Sequence, residues 1–411
     1  MQARRVVITG MGSISPFGRG VDILVESLFA MKSGVTKMPA LADFGGLRTH
    51  VAAVVPDMDP KEIPRKHRRS MSKMSIYATL ACREAASRGS LTEEQLSGGR
   101  LGISIGSTIG SPIATQEFFE DFLTYHSIER MRATTFFQIM NHSCAANVAQ
   151  ALGITGRILA PSSACSTGCQ AIGYGFEMIA FGKQDMMLCG GADEFHPLSP
   201  ATFDILSAAS VRYNDAPHLT PRPFDRDRDG VVCSEGSGIL LLESLDSALQ
   251  RGAHIFAEIK GYSTSSDTSN IADPNTESIE TCIRLALEDA GLKPDGIDYV
   301  NAHATGTIQG DIAESVAIKR VFGNNVPVSS LKGHLGHTMA ACGALETIAS
   351  IAMIDNNALI PTLNLENIDP LCEGIRHVRQ IEKTSLQSVL KNNFALGGVN
   401  TCIIIRRYGN D

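Results

Sequence analysis

Short apolar runs of strand length alternate with alanine-rich segments of helical period along almost the whole chain, and this alternation constrains the fold most strongly. Between two such runs, apolar residues from 279 to 290 recur at the spacing of one helix face. Strands that alternate with helices predict an α/β fold. The eight runs that we predict as strands are residues 5–9, 101–105, 186–189, 238–242, 255–259, 299–302, 327–330 and 402–406.

The order of elements repeats in the two parts of the chain. Each part runs from a strand through an amphipathic helix and a strand with a Gly/Thr-rich turn to a Gly/Ala-rich helix and a closing strand. The Gly/Ala-rich helices after Cys165 and His337 are nearly uncharged apart from Glu177 and Glu346, which predicts that both are buried. We therefore predict an internal duplication of halves 1–250 and 251–411, with the functional site where they meet.

Composition excludes several classes of protein. The 411 residues suffice for two or three compact units, and a 43% apolar content with a net charge of -7 argues against disorder and against a general nucleic-acid binder. No apolar run approaches the about 20 residues that span a bilayer. The apolar run after Arg5 is too short for a signal peptide. Ten scattered cysteines without a CxxC pair predict reduced thiols in the cytoplasm.

Two motifs resemble cofactor sites but fit them poorly. Gly10 and Gly12 follow a predicted strand, yet Ser15 stands where a dinucleotide fingerprint has its third glycine, and Pro16 precedes any helix. Cys165 and Cys169 have a C-x3-C spacing, but no second Cys/His pair has the spacing of a zinc site. We therefore predict neither a nucleotide cofactor nor a metal.

Cys165 begins the first of the two buried helices. A thiol at a helix N-terminus faces free backbone N–H groups and the positive end of the helix dipole, and both favour the thiolate. This position makes Cys165 a candidate nucleophile. The alternative is an inert core cysteine, which is the more common role of a cysteine in apolar surroundings.

Polar residues in the second half can complete a site around this thiol. His303 follows a predicted strand, and Thr305 and Thr307 lie in the small polar turn after it, which can admit a narrow substrate arm. Lys332 and His337 precede the other buried helix. A histidine at such a place is more often structural, but these groups all lie at element junctions, so we predict one site between the halves.

The segment of residues 393–400 contains the glycine pair Gly397 and Gly398. Paired glycines permit positive φ angles and a close approach of the backbone, so the loop can supply an amide to an oxyanion hole. The alternative is a tight turn before the last strand.

Together these segments resemble the β-ketoacyl-acyl carrier protein synthases, specifically the elongating class with a Cys-His-His site. The resemblance covers essentially the whole chain, including the segments 6–12, 190–194, 222–225, 228–230 and 397–398. It implies a thiolase-like five-layered αβαβα fold from two pseudo-symmetric βαβαβαββ halves, the first carrying the nucleophile and the second the histidines, the lysine and the Gly-rich loop. It also implies a homodimer, or a heterodimer with a chain-length-factor-like paralogue.

The resemblance further implies an acyltransferase that condenses an acyl group on Cys165 with a malonyl group, both delivered by an acyl carrier protein. The phosphopantetheine arm arrives on that carrier, so no cofactor is expected in the enzyme. His303 and His337 would bind the enolate, Lys332 would orient them with Glu314 as its partner, and the amides of Cys165 and Leu396 would form the oxyanion hole. The substrate arm would contact Thr305, Thr307, Phe394 and Ile109.

The resemblance implies a function for a cluster of basic residues. Its positive charges contrast with the acidic chain as a whole, and they can form either a solvated helix face or a docking patch for an acidic partner. Because acyl carrier proteins are acidic, the resemblance favours the docking patch. The predicted docking residues are Arg65, Lys66, Arg68, Arg69, Arg130 and Arg132.

Several positions depart from the family pattern. Leu396 replaces the usual Phe of the Gly-rich loop, Ala272 a common Thr and Ala304 a common Gly, and Gln138 is an unusually polar residue in a segment that lines the acyl pocket of relatives. These departures favour a specialised polyketide or polyene pathway as readily as fatty-acid synthesis.

Other members of the superfamily fit less well. A thiolase acting on coenzyme A thioesters needs a second cysteine in the Gly-rich loop, where this chain has none. Initiating synthases have an Asn where this chain has His337. A non-catalytic chain-length partner lacks the nucleophile, although this chain can be the catalytic half of such a heterodimer.

Overall fold

A twelve-stranded sheet forms the centre of the computed structural model, which describes residues 3–409. All eight predicted runs overlap strands of the structure. The strands are β1 (Val6–Ser15), β2 (Gly18–Arg19), β3 (Thr36–Lys37), β4 (Val51–Ala52), β5 (Leu101–Gly106), β6 (Ile158–Leu159), β7 (Met186–Asp193), β8 (Gly236–Ser244), β9 (Ala257–Ser266), β10 (Tyr299–Asn301), β11 (Pro327–Ser329), β12 (Ala358–Leu359), β13 (Arg376–His377), β14 (Glu382–Lys383), β15 (Ser388–Phe394) and β16 (Val399–Arg406).

Fourteen α-helices accompany these strands in the described part of the chain. They are α1 (Val21–Phe29), α2 (Arg65–Arg68), α3 (Lys73–Arg88), α4 (Glu93–Ser97), α5 (Pro112–Tyr125), α6 (Ala133–Ile139), α7 (Ser143–Leu152), α8 (Thr167–Ala180), α9 (Leu198–Ile205), α10 (Leu245–Gln250), α11 (Thr276–Ala290), α12 (Ile308–Phe322), α13 (Lys332–Leu335) and α14 (Cys342–Asn356). No helix within residues 3–409 is both long and apolar enough to cross a membrane.

The sheet consists of two similar parts joined at their edges. Its strand order is β13-β11-β10-β15-β16-β9-β1-β8-β7-β5-β6, with β2 paired beside β1. The other four strands form two separate two-stranded sheets, β3 with β4 and β12 with β14. The first five-stranded part is built from β6, β5, β7, β8 and β1, and the second runs from β9 through β16, β15 and β10 to β11. Antiparallel pairing of β1 with β9, with Val6 opposite Ile259, connects the two parts.

Helices cover both parts of the sheet, so the structure has five layers. α3 and α7 pack on the outer face of the first part, α11 and α12 pack on the outer face of the second, and α8 and α14 lie between the two parts. Three apolar clusters fill the spaces between these layers, and the largest surrounds α8 and α14. The αβαβα arrangement implied by the resemblance is confirmed, and both Gly/Ala-rich helices occupy the central layer as predicted.

Glycines let the two central helices approach each other closely. A Cβ atom on Gly168 would lie 2.4 Å from the Ala340 carbonyl oxygen, and one on Gly343 would lie 2.5 Å from the Cys169 amide nitrogen. Neither position therefore has room for a side chain. This contact brings the N-terminal ends of α8 and α14 together.

The two helices begin in matching ways. A short 3-10 turn precedes each helix, Ala164–Ser166 before α8 and Met339–Ala341 before α14. Ala164 and Met339 have positive φ angles of 47° and 51°, which are strained for residues other than glycine. Counted from these matching turns, Glu177 and Glu346 lie at different turns of their helices, so the two charges do not occupy equivalent positions.

Gly10 and Gly12 are residues of β1 and do not form a phosphate-binding loop. A Cβ atom on Gly12 would lie 1.9 Å from the Ala81 carbonyl oxygen, and one on Gly10 would lie 2.2 Å from that of Ala85. Both glycines therefore serve the close packing of α3 on the sheet.

Candidate active site

Cys165 lies in the 3-10 turn that leads into α8, with its residue 5% exposed. The next residue fixes this turn to the end of the chain, because Ser166 Oγ donates hydrogen bonds to the carbonyls of Val399 at 2.7 Å and Asn393 at 3.2 Å. The nucleophile of the first half is thereby held against the Gly-rich loop of the second half.

Three of the predicted catalytic side chains meet at this turn. Cys165 Sγ and one ring nitrogen from each of His303 and His337 lie within 4.8 Å of one another. The two imidazole rings have centroids 5.4 Å apart and stand nearly perpendicular, at 83°. The thiol and the two imidazoles surround one space, so all three can contact the same reacting group of a substrate. That the site works without a metal stays a prediction.

Each histidine is positioned by its backbone. His303 follows β10, and His337 precedes the 3-10 turn of α14. The His337 amide donates to the Val232 carbonyl at 2.8 Å, and its carbonyl accepts from the Ser234 amide at 2.9 Å. A segment of the first half therefore fixes a histidine of the second half in the site.

Burial governs the protonation of this cluster. Desolvation raises the pKa of the Cys165 thiol to about 12, although Lys332 and the Leu396 amide act in the opposite direction. Desolvation and then Lys332 lower the pKa of both His303 and His337 well below the ordinary value. The thiol is thus protonated and both imidazoles are uncharged at neutral pH, with each imidazole holding one N–H to donate.

The imidazoles differ in their hydrogen bonds. His303 Nδ1 lies 3.4 Å from Asn393 Nδ2, which favours the tautomer that carries its proton on Nε2. Neither ring nitrogen of His337 has a hydrogen-bond partner among residues 3–409, although both are buried. An unpaired buried nitrogen is costly, so this ring is suited to a partner that arrives with the substrate.

The expected pairing of Lys332 with Glu314 is wrong. Lys332 Nζ donates to Glu346 Oε1 at 2.7 Å, and both side chains are buried. The Glu314 carboxylate instead accepts the amides of His303 at 2.8 Å and Ala304 at 2.7 Å. Glu314 therefore supports the backbone beneath His303, because two buried N–H groups that leave the strand there need an acceptor.

Two charged residues, Glu346 and Lys391, belong to the site although the sequence did not predict them there. Glu346 lies on α14, and its second oxygen, Oε2, is 2.7 Å from Nζ of Lys391 on β15. In the sequence, each of them is a single charged residue within an apolar segment that forms a helix or a strand. Such a charge must find a partner if the segment is buried.

A cavity of about 400 Å³ is lined in part by Cys165, His303 and His337, the three side chains predicted to be catalytic. The predicted substrate contacts Thr305, Thr307 and Phe394 line it, together with Leu396 of the predicted oxyanion hole. Ile109 does not, because it lies on the loop after β5 with its residue 47% exposed. The structure therefore brings together all the predicted substrate contacts except Ile109.

Three of the unusual positions have a definite place. Leu396, 42% exposed, and Ala272 line the mouth of the cavity, and the neighbouring Gly397 amide donates to the Ile271 carbonyl at 2.8 Å. Gln138 of α6 donates through Nε2 to the Met71 carbonyl at 2.9 Å. Its polar group thus joins α6 to the segment after α2 within this chain.

The basic residues occupy two surface segments. Arg65 and Lys66 in α2 and the adjacent Arg69 are exposed, whereas Arg68 is half-buried. Arg130 and Arg132 are exposed between α5 and α6, and the Arg130 guanidinium stacks 4.1 Å from the ring centroid of Tyr125. The hydrogen bond from Gln138 to the Met71 carbonyl connects α6 to the segment after α2, and so links the two basic segments.

Two family models match the chain consecutively. The N-terminal domain of the beta-ketoacyl synthases matches residues 3–248, and their C-terminal domain matches residues 256–366. The 3-oxoacyl-[acyl-carrier-protein] synthase 1 of Haemophilus influenzae is 37% identical over 407 residues, which cover 98% of this chain and 99% of that protein.

Solved structures agree with the sequence matches. A beta-ketoacyl synthase from Burkholderia phymatum STM815 has a TM-score of 0.96 and 44% identity, covering 99% of this chain and 100% of that chain. The ishigamide ketosynthase/chain length factor has a TM-score of 0.91 and 34% identity, with the same coverage.

Proposed function

The chain belongs to the beta-ketoacyl synthase family, and on that premise we propose that it joins an acyl group held on Cys165 to a malonyl group, with loss of CO2, to give a 3-oxoacyl thioester. The observation that carries this proposal is the meeting of Cys165, His303 and His337 within 4.8 Å at the end of a cavity. The enzyme is an acyltransferase, as its relatives' names indicate.

The first step loads the nucleophile. Cys165 Sγ attacks the carbonyl carbon of the acyl thioester, the new C–S bond replaces the bond to the carrier's thiol, and the thiol proton leaves on that carrier. The amides of Cys165 and Leu396 stabilise the oxyanion, and the effect of the Leu396 amide on the Cys165 thiol supports its place there.

The second step forms and uses the enolate. The C–C bond to the malonyl carboxylate breaks, CO2 leaves, and the electron pair remains as an enolate whose oxygen accepts hydrogen bonds from His303 and His337. The enolate carbon attacks the acyl group on Cys165, a C–C bond forms, and the C–S bond breaks. The released thiolate then takes up one proton, which completes the balance.

The partners follow from the same chemistry. We propose that an acyl carrier protein delivers both groups on its phosphopantetheine arm, as the name of the Haemophilus relative indicates for that enzyme. The exposed basic residues in and beside α2 and between α5 and α6 provide an attractive surface for an acidic carrier. The reaction takes place in the cytoplasm, where the ten free cysteines stay reduced.

A second chain completes the enzyme in this proposal. Large apolar side chains on α5 and α6 and the adjacent loop are exposed, and β6, paired only with β5 within residues 3–409, is an edge strand of the sheet. A homodimer would have twice the chain mass of 43.9 kDa by light scattering. A protein that is monomeric and active only with an added paralogue would instead favour a heterodimer of the kind named for the ishigamide relative.

The reaction is tested with acyl-carrier and malonyl-carrier substrates of several acyl lengths, by mass spectrometry of protein and product. We expect an acyl adduct on Cys165 and a 3-oxoacyl-carrier product. Cys165→Ala should abolish both, while Cys169→Ala, at a buried position in α8, should retain both. A folded wild-type protein that gives neither adduct nor product would refute the proposal.

A further inference from the structure

Lys391 is a fully buried lysine in the middle of a strand that is paired on both sides. Side chains alternate between the faces of a strand. Val389, two residues earlier, packs in the apolar cluster around α14, so Lys391 extends towards the same helix. There its Nζ lies 2.7 Å from Glu346 Oε2 and also donates to the Asn392 carbonyl.

Glu346 is shared by two ammonium groups, with Lys332 at one oxygen and Lys391 at the other, each at 2.7 Å. The second buried carboxylate of this region is Glu314, and Asn392 connects it to Lys391. The Asn392 side chain donates to Glu314 Oε1 at 3.1 Å, while its carbonyl accepts from Lys391. Two ammonium groups thus face two carboxylates, and the buried charges can balance.

We propose that Lys391 is a positioning residue of the condensation site, where its ammonium balances the Glu314 carboxylate behind His303 and His337. This inference rests on the proposed function. Without Lys391, a single ammonium would serve two buried carboxylates. The excess negative charge would stabilise the imidazolium forms and oppose both the Cys165 thiolate and the enolate.

The titratable groups around the histidine pair come from every neighbouring element. They are Cys165, Asp193, Cys233, Glu314, Lys332, Cys342, Glu346 and Lys391. Lys391 also lowers the pKa of both His303 and His337, after desolvation and Lys332 in each case and, for His303, after His337 as well. The position of the Lys391 ammonium and its lowering of the two histidine pKa values therefore agree: both disfavour the imidazolium forms.

Lys391→Met tests the inference, because methionine keeps an unbranched chain and removes the charge. We expect the pKa values of His303 and His337, followed by NMR of histidine-labelled protein, to rise by about one unit. The acid limb of the pH profile for condensation should move up by the same amount, since an imidazolium is acidic enough to protonate the enolate before its carbon attacks the acyl group. The NMR titration does not depend on activity, so it also stands if the proposed reaction fails.

A second variant restores the balance. Lys391→Met combined with Glu314→Gln leaves Lys332 facing Glu346 alone, and the histidine titration should return towards that of the wild type. The matched control is Leu390→Met, which places a methionine on the opposite face of β15, within the cluster beside α11 and α12. This control should leave the titration unchanged.

The outcomes decide between charge and packing. An upward shift in Lys391→Met that the added Glu314→Gln reverses supports the inference, as does recovery of folding and of the titration in the double variant where the single variant does not fold. An unchanged titration in a folded Lys391→Met would overturn it. So would a double variant that stays unfolded or shifted while Leu390→Met behaves as wild type.

Discussion

Asp193 and Ala340 are joined across the two halves of the chain. The Asp193 carboxylate at the end of β7 accepts the Ala340 amide at 2.8 Å, and it also accepts the Thr108 amide at 3.0 Å. Ala340 belongs to the 3-10 turn that matches the turn of Cys165. One buried carboxylate therefore ties the start of α14 to the first half beside the site.

Asp193 makes stability depend on pH. Burial raises the pKa of Asp193 from 3.8 to about 6, so between these values the folded protein holds a proton that the unfolded chain has lost. The free energy of unfolding should therefore fall as pH rises from about 4 to above 6, with about 3 kcal/mol from this group. Urea unfolding across this range should show a shallower fall for Asp193→Asn. An identical slope in both proteins would contradict the assignment.

The Cys165 thiol should react slowly at neutral pH and faster as pH rises. Because its pKa is raised to about 12, the rate of alkylation by iodoacetamide should increase about tenfold per pH unit up to that value. Lys332→Met removes a charge that lowers this pKa and should slow alkylation by about tenfold at fixed pH. The mass of the Cys165 peptide measures the rate, with the exposed Lys293→Met as control. Equal rates in both variants would remove Lys332 from this role.

His303→Ala should separate the two steps of the reaction. Because the role that we propose for His303 is to bind the enolate, the variant should lose about 100-fold in malonyl decarboxylation while acylation of Cys165 changes much less. Release of CO2 and the acyl-protein mass are measured on the same samples. Equal losses in both steps would place His303 in acyl transfer instead.

The basic residues of α2 should act on carrier docking and not on chemistry. Reversal of the exposed Arg65, Lys66 and Arg69 to Glu should raise KM for an acyl carrier by about tenfold at low salt. The effect should shrink as salt increases, and kcat with a free pantetheine thioester should not change. Arg68 is excluded because it is half-buried. Lys293→Glu reverses an exposed charge elsewhere as the control; an equal effect there would mean that net charge alone matters.

The three residues that meet at the candidate active site could be predicted from the sequence because each stands at a junction of elements. Cys165, His303 and His337 are polar groups beside apolar segments, where local pattern marks the end of a strand or the start of a helix. The alternation of segments also predicted the layers. Predicted strand ends were less accurate: β1 continues six residues beyond Thr9, since its glycines pack against α3 instead of forming a turn.

The pairing of charges could not be predicted in the same way. Lys391, Asn392 and Asn393 have low strand propensity, so β15 was missed, although its pairing with β10 and β16 overrides that preference. Which acid meets Lys332 of α13 depends on how α14, which carries Glu346, and α12, which carries Glu314, are placed around it. That placement is set by tertiary packing, and the local spacing of residues along the chain carries no information about it.

The close contact of α8 and α14 limits how this enzyme can be recombined. Since Gly168 and Gly343 exclude any Cβ, a chimera that takes residues 1–250 from one relative and the remainder from another must carry glycine at both positions. The loops around the cavity mouth are not under this restriction. Engineering of acyl preference should therefore exchange loops and keep α8 and α14 from the same parent protein.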